Sequence, residues 1–206
     1  MPSLYHLKPF LQEILRPTVR RLASFGATPN QITVLGIVLS ALGGGAVLLA
    51  NDHTYYLLAV PLILLVRMAL NTTDGILARE YGMQTRLGAL LNELGDVLSS
   101  CLLFLPFSLL VGLKAWLVVV VVILAIVSEM AGMLALTMNI SRRHDGPMGE
   151  SDRAAIFGLI ALLIGIGIET GLWANILLGL IGILLIPTII NRIIETLKEA
   201  KKKHER

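Results

Sequence analysis

The chain has 206 residues, 55% hydrophobic and only 15% charged, with a mean hydropathy of +0.79. Soluble domains carry about 25% charged residues, so a soluble globular protein is excluded. The net charge is +3 and aromatic residues make up 5%; because the bases flank apolar runs, they suit anionic lipid headgroups and phosphates, and no nucleic-acid partner is expected.

Residues 4 to 24 set Leu4, Leu7, Phe10, Leu11, Ile14, Leu15, Val19 and Leu22 among Lys8, Arg16, Arg20 and Arg21, with Pro9 and Pro17 interrupting. This stripe predicts an amphipathic helix lying in the membrane interface. Six apolar stretches follow, at 32–50, 55–79, 87–111, 115–139, 154–171 and 173–192, each of a length suited to a hydrocarbon core about 30 Å thick. An even number of crossings puts both termini on one side. Alternate connections hold Arg79, Arg86, Arg142, Arg143 and Arg153, and the two ends add most of the remaining bases, whereas the opposite loops hold only Lys114. That asymmetry predicts cytoplasmic termini. The expected fold is therefore an all-α integral membrane bundle of six transmembrane helices preceded by an interfacial helix. It forms one domain over 1–206: interfacial helix 1–27, bundle 28–192 and basic tail 193–206. Cys101 sits in an apolar run and is read as a packing residue.

The second and third stretches meet in a polar cluster: Asn71, Thr72, Thr73, Asp74, Gly75, Ala78 and Arg79, then Gly88, Asn92, Glu93 and Asp96. Ionisable groups at membrane depth are costly and mark bundle interiors or wet cavities. At about 100° per residue, Asn71, Asp74, Gly75 and Ala78 share an arc of about 100°, and Gly88, Asn92 and Asp96 one of about 80° on the next helix. The carboxylates of Asp74 and Asp96 and the amide oxygens of Asn71 and Asn92 are hard ligands for Mg²⁺, Mn²⁺ or Ca²⁺ rather than zinc. Gly75, Ala78 and Gly88 keep the walls small enough for a phosphate or a neighbouring helix, and Arg79 offers a planar donor fork. The competing reading is a polar bundle in which the small residues serve packing alone.

From Asn71 to Asp96 the chain reads N-x2-D-G-x2-A-R-x8-G-x3-N-x3-D. This resembles the CDP-alcohol phosphotransferase family, whose pattern is D-x2-D-G-x2-A-R-x8-9-G-x3-D-x3-D. Thr28, Pro29, Asn30, Gln31, Ile32 and Thr33 look like that family's P-N-x2-T opening of the first span. The resemblance implies a metal-dependent transfer in which a hydroxyl attacks the phosphorus bearing the alcohol of a CDP-alcohol and CMP leaves. It implies that Asp74 ligates metal and that Asp96 is ligand or catalytic base. It places Asn30, Thr33, Asn71, Asp74, Gly75, Ala78, Arg79 and Gly88 at the nucleotide, with helix capping the competing account of Asn30 and Thr33. It further implies a homodimer in the inner membrane of a bacterium, with the active site facing the cytoplasm and CDP-diacylglycerol the leading donor. A soluble CDP-linked headgroup is the runner-up donor.

Two positions depart from the pattern. Asn71 and Asn92 stand where the family has Asp, leaving two carboxylates of four. An amide oxygen ligates a hard cation but adds no charge and cannot serve as a base. One resident Mg²⁺ or Mn²⁺ is therefore expected, with a second arriving on the substrate's diphosphate. The same departures favour, as an alternative, a non-catalytic relative that binds metal, nucleotide or lipid as a regulator or partner subunit. A transporter built on the same polar cluster is the third reading.

The 142–153 segment lies on the motif's side, and Arg142, Arg143, Ser151 and Arg153 are expected at the acceptor or a lipid phosphate, with Ser151 alternatively capping the fifth span. Arg67 and Glu129 lie at membrane depth, where each requires a partner or water; mutual pairing is one expectation.

Overall fold

The computed structural model describes residues 8–204, so Leu4, Leu7 and Arg206 lie outside it. The described residues form α-helices joined by short turns. Helix α1 (Lys8–Ser24) runs through Pro17 and lays Val19, with Leu15, Leu22 and Ala23, against Ile32, Ile76 and Leu77. Helix α1 is thus fastened to the bundle by an apolar face while Arg16, Arg20 and Arg21 remain exposed.

Helix α2 (Pro29–Leu49) starts at a capping box: the Thr28 hydroxyl accepts from the Gln31 N–H at 3.3 Å, and the Gln31 side chain accepts from the Thr28 N–H at 3.0 Å. Pro29 at the first helical position has no N–H to leave unsatisfied. Helix α3 (Ala59–Glu80) follows a 3-10 turn, Thr54–Leu58. Helix α4 (Arg86–Phe104) is capped by Thr85, whose hydroxyl accepts from the Gly88 N–H at 2.9 Å. Helices α5 (Ala115–Leu134), α6 (Glu150–Gly165) and α7 (Leu172–His204) complete the bundle.

Among the described residues, five helical segments are long and apolar enough to cross a membrane: Pro29–Leu49, Thr54–Glu80, Arg86–Leu109, Ala115–Met138 and Leu172–Lys203. The stretch expected to cross at 154–171 forms α6, of 16 residues, about 24 Å long at 1.5 Å per residue. It stops early because the chain turns through Gly167 at φ +98, a backbone that glycine adopts without steric cost. Helix α6 still runs antiparallel to α3: Glu150 meets Arg67 at one end, and Gly165 lies against Leu58 at the other. The basic tail after residue 192 is the continuation of α7, which runs to His204. Its last turns are held by Glu199 to Arg143 at 2.7 Å and by Lys203 donating to the Asn139 carbonyl at 2.8 Å.

Helix α2 packs against α3 and α4, α5 against α7, and α6 against α3. The core gathers Leu103, Phe104, Phe107, Val118, Val121, Phe157, Ile160, Leu178 and Ile181. Phe157 stacks on Phe104, with centroids 4.3 Å apart, and meets the edge of Phe107. Leu62, Leu65, Leu90 and Ile183 point outward and stay more than half exposed, as side chains facing lipid do. Gly43 and Gly44 let α4 approach α2; a Cβ on Gly44 would overlap the Leu102 carbonyl oxygen.

Candidate active site

The polar cluster assembles where α2, α3 and α4 meet at the end of the bundle that bears α1. Because Thr28 caps α2, Asn30 and Thr33 are released from that task. The Thr33 hydroxyl donates to Asp74 Oδ2 at 2.9 Å, tying α2 to α3. Asn71 Nδ2 donates to Asp96 Oδ1 at 2.9 Å, tying α3 to α4. Asn30 Oδ1 lies 2.8 Å from the point where a Gly88 Cβ would stand, and the Thr33 methyl 3.0 Å from that of Gly95, closing the triangle between α4 and α2. Both glycines are spaces taken by α2 side chains.

Asp74 is buried and Asp96 half-buried. Asn92, one turn before Asp96 on α4, is half-buried. On α3, Arg79 folds back so that Nη2 lies 2.9 Å from where a Gly75 Cβ would stand. Gly75 therefore makes room for the guanidinium of Arg79, and Ala78 lies half-buried between them.

Chemically the donors are all oxygen. Among the described residues no group of three or more His, Cys, Asp or Glu gathers as a metal site; the cluster offers the Asp74 and Asp96 carboxylates and the amides of Asn71 and Asn92. All four are hard oxygen donors of the kind that suit a divalent cation such as Mg²⁺ or Mn²⁺, and two of them carry charge. Were residue 71 an aspartate, two carboxylates would stand within hydrogen-bond distance and repel without a cation between them. The asparagine converts that repulsion into a hydrogen bond.

A second layer of charge supports this end of the bundle. Arg67, 4% exposed, uses Nη2 to reach Glu150 at 2.6 Å, the Ser100 hydroxyl at 3.2 Å and the Asp96 carbonyl at 3.2 Å, joining α3, α4 and α6. Glu129 takes Arg153 at 2.9 Å, Arg142 at 3.1 Å and Arg192 at 3.3 Å. Arg67 and Glu129 therefore find separate partners rather than each other. Arg142 also reaches Glu93 at 2.7 Å. Burial works against its charge, but Glu93 and Glu129, with Asp96 behind them, outweigh that and hold its guanidinium above its ordinary range.

Of the residues expected at an acceptor, Arg142 connects to the cluster through Glu93, which shares α4 with Asp96. Arg153 is buried against Glu129 and donates to the Met148 carbonyl. Arg143 is turned to Asp145 and Glu199, at 2.7 Å each. Ser151 lies half-buried in the first turn of α6 and is not its cap: Gly149 holds that position, its N–H donating to Asp152 at 3.0 Å. The sequence does not mark Glu150 and Arg192 as members of the network, because a base or acid at a helix end reads as solvated until its partner on another helix is known.

The sequence profile of the CDP-alcohol phosphatidyltransferases matches residues 26–190. The chain is 46% identical over 190 residues to the inner membrane protein YnbA of Escherichia coli, covering 92% of this chain and 94% of that protein. It is 31% identical over 113 residues to the archaetidylinositol phosphate synthase of Pyrococcus horikoshii, covering 55% and 57%. The fold is shared with the phosphatidylinositol phosphate synthase of Mycobacterium tuberculosis. Its crystal structure with CDP-DAG bound superposes with a TM-score of 0.72 at 21% identity over 89% of this chain and 94% of that one. Its complex with manganese and citrate gives 0.68 at 20% identity over 88% of each. A profile match spanning most of the chain, on a motif whose side chains converge from three adjoining helices, makes this protein a member of the CDP-alcohol phosphatidyltransferase family.

Proposed function

We propose that the chain transfers a substituted phosphate from a CDP-alcohol, with CDP-diacylglycerol as the donor, to a hydroxyl acceptor, releasing CMP in phospholipid synthesis at the cytoplasmic face of a bacterial inner membrane. The acceptor oxygen forms the new bond to phosphorus, its proton passes to Asp96, and the phosphorus–oxygen bond to CMP breaks with the electron pair leaving on CMP. Asp74 and Asp96, with the amide oxygens of Asn71 and Asn92, would hold one Mg²⁺ or Mn²⁺, which supplies charge neutralisation at the diphosphate. Asn30, Thr33, Asn71, Asp74, Gly75, Ala78, Arg79 and Gly88 line the nucleotide's place, and Thr33 fixes Asp74 by its hydrogen bond. Arg142, Arg143, Ser151 and Arg153 are the acceptor-side group, with Arg142 the member tied to the helix of Asp96. A six-crossing topology with cytoplasmic termini belongs to the same reading, as does a homodimer, which rests on family membership alone.

The observation that carries this reading is the hydrogen bond between Asn71 and Asp96 across α3 and α4, which brings the first and last motif positions together. The CDP-DAG and manganese named with the fold's relatives support the donor and the metal. The test is CMP release by purified protein from CDP-diacylglycerol and from soluble CDP-alcohols, with and without Mg²⁺ or Mn²⁺. Metal-dependent release from the lipid donor is expected; release only from a soluble CDP-alcohol transfers the role of donor to it.

The asparagines favour a second reading, a binding relative without turnover. It is supported if the native chain releases no CMP from any donor while the double replacement Asn71→Asp and Asn92→Asp does.

A further inference from the structure

Three arginines from three different segments converge on one carboxylate. Arg142 comes from the α5–α6 connection, Arg153 from α6 and Arg192 from α7, and all reach Glu129 of α5 within 3.3 Å. Arg153 and Arg192 are 2% exposed and Glu129 is 6% exposed. Convergent guanidinium forks in a water-poor site are the arrangement that binds phosphate. Here the centre of the fork is already filled. The arginines nearest the cluster are matched in the same way, Arg142 also by Glu93 and Arg67 by Glu150. A phosphate entering among them would have to displace a buried carboxylate or lie beside it, and like charges in a low-dielectric interior repel strongly.

We propose that Glu129 is an internal anion that occupies a phosphate-type site beside the motif, so that the hydroxyl acceptor of this chain is a compound without a phosphate group. This deepens the transfer reading above and rests on it for the word acceptor. The occupation of the site by Glu129 is a property of the chain itself. Glu129 acts through the arginines and is a positioning residue that sets which acceptor is admitted.

Two measurements on full-length protein in detergent test it. The first is the thermal midpoint in inorganic phosphate. The native chain is expected to be unmoved, and Glu129→Ala, which clears both charge and volume, is expected to be stabilised. Removing the Glu129 carboxylate leaves Arg153 and Arg192 without an acidic partner, while Arg142 keeps Glu93, so the double variant Glu129→Ala, Arg192→Gln, with one fewer unpaired charge, serves where the single variant does not fold. The second is CMP release with glycerol against glycerol 3-phosphate and inositol against inositol 1-phosphate. The native chain is expected to favour the uncharged member of each pair, and the alanine variant to shift that ratio about tenfold or more toward the phosphorylated one, the worth of one charge-assisted hydrogen bond. A purely structural Glu129 would lower yield without moving the ratio. Native protein that is stabilised by phosphate, or that favours the phosphorylated acceptors, overturns the proposal, as does a folded variant indifferent to phosphate. Should no donor release CMP, the transfer reading fails while the first measurement still decides whether Glu129 fills an anion site.

Discussion

Asn71 is the residue at which this chain departs most consequentially from its family's pattern. Its amide donates to Asp96, so the two helices that carry the motif are joined without a cation. Asn71→Asp removes that donor and sets a second carboxylate against the first. The expected result is a loss of about 1.5–3 kcal/mol without divalent ion, the worth of a hydrogen bond to a charged group, and a midpoint that Mn²⁺ restores or raises above native. Thermal unfolding with and without Mn²⁺ reads both effects; a variant as stable as the native chain in chelator contradicts the account of Asn71. Asp96→Asn keeps the size and the contact with Asn71 but removes the carboxylate proposed as proton acceptor, so CMP release is expected to fall by about 10²–10⁴ with the midpoint little changed. Thr33→Val removes the hydroxyl that donates to Asp74 and to the Pro29 carbonyl while leaving both motif carboxylates in place, and is expected to cost far less activity. Equal losses from the two variants would show that Asp96 does no more than position.

Helices α2 and α4 approach so closely that glycine is required at their crossing. Gly44→Ala pushes a methyl into the Leu102 carbonyl and is expected to cost about 1–3 kcal/mol by overpacking. Gly45, one residue on, has open space where its Cβ would stand, so Gly45→Ala should gain up to about 1 kcal/mol in helix propensity. Opposite signs at adjacent positions, measured by unfolding in detergent, separate packing from propensity. At this scale the sequence was readable in its local features. The boundaries of α2 to α5 follow from apolar length, and the motif face from helical periodicity, because both are set within one element. The reach of α6 and α7 was not readable. The glycines at 165, 167 and 171 do not by themselves separate a turn from close packing inside an apolar helix, and the charges of Glu199 and Lys203 read as solvated until Arg143 and Asn139 are brought to them by a different helix. The same holds for Glu129: its three partners are decided by the packing of α5, α6 and α7, which no local pattern encodes.

At the scale of the whole molecule, charge and apolar surface are sorted by depth. The arginine networks, the motif and the α1 helix gather at one end, while the other holds the 50–53, 110–114 and 166–171 connections, in which Lys114 is the one lysine or arginine. Between the ends the outward side chains are apolar. This sorting requires α6 to pass from one end to the other despite its 16 residues, since Glu150 meets Arg67 and Gly165 meets Leu58. A short helix can do so where neighbouring helices cover its ends and the bilayer thins locally, at a modest cost per ångström of mismatch. Single-cysteine labelling in intact cells tests the arrangement after Cys101→Ser removes the native thiol. Lys114→Cys and Glu169→Cys are expected to react with a membrane-impermeant maleimide from outside, and Ser141→Cys and Lys202→Cys only after permeabilisation. If position 169 instead labels together with 141, α6 does not cross, the C-terminal helix enters from the opposite face, and Arg192 could not reach Glu129 as the fold requires.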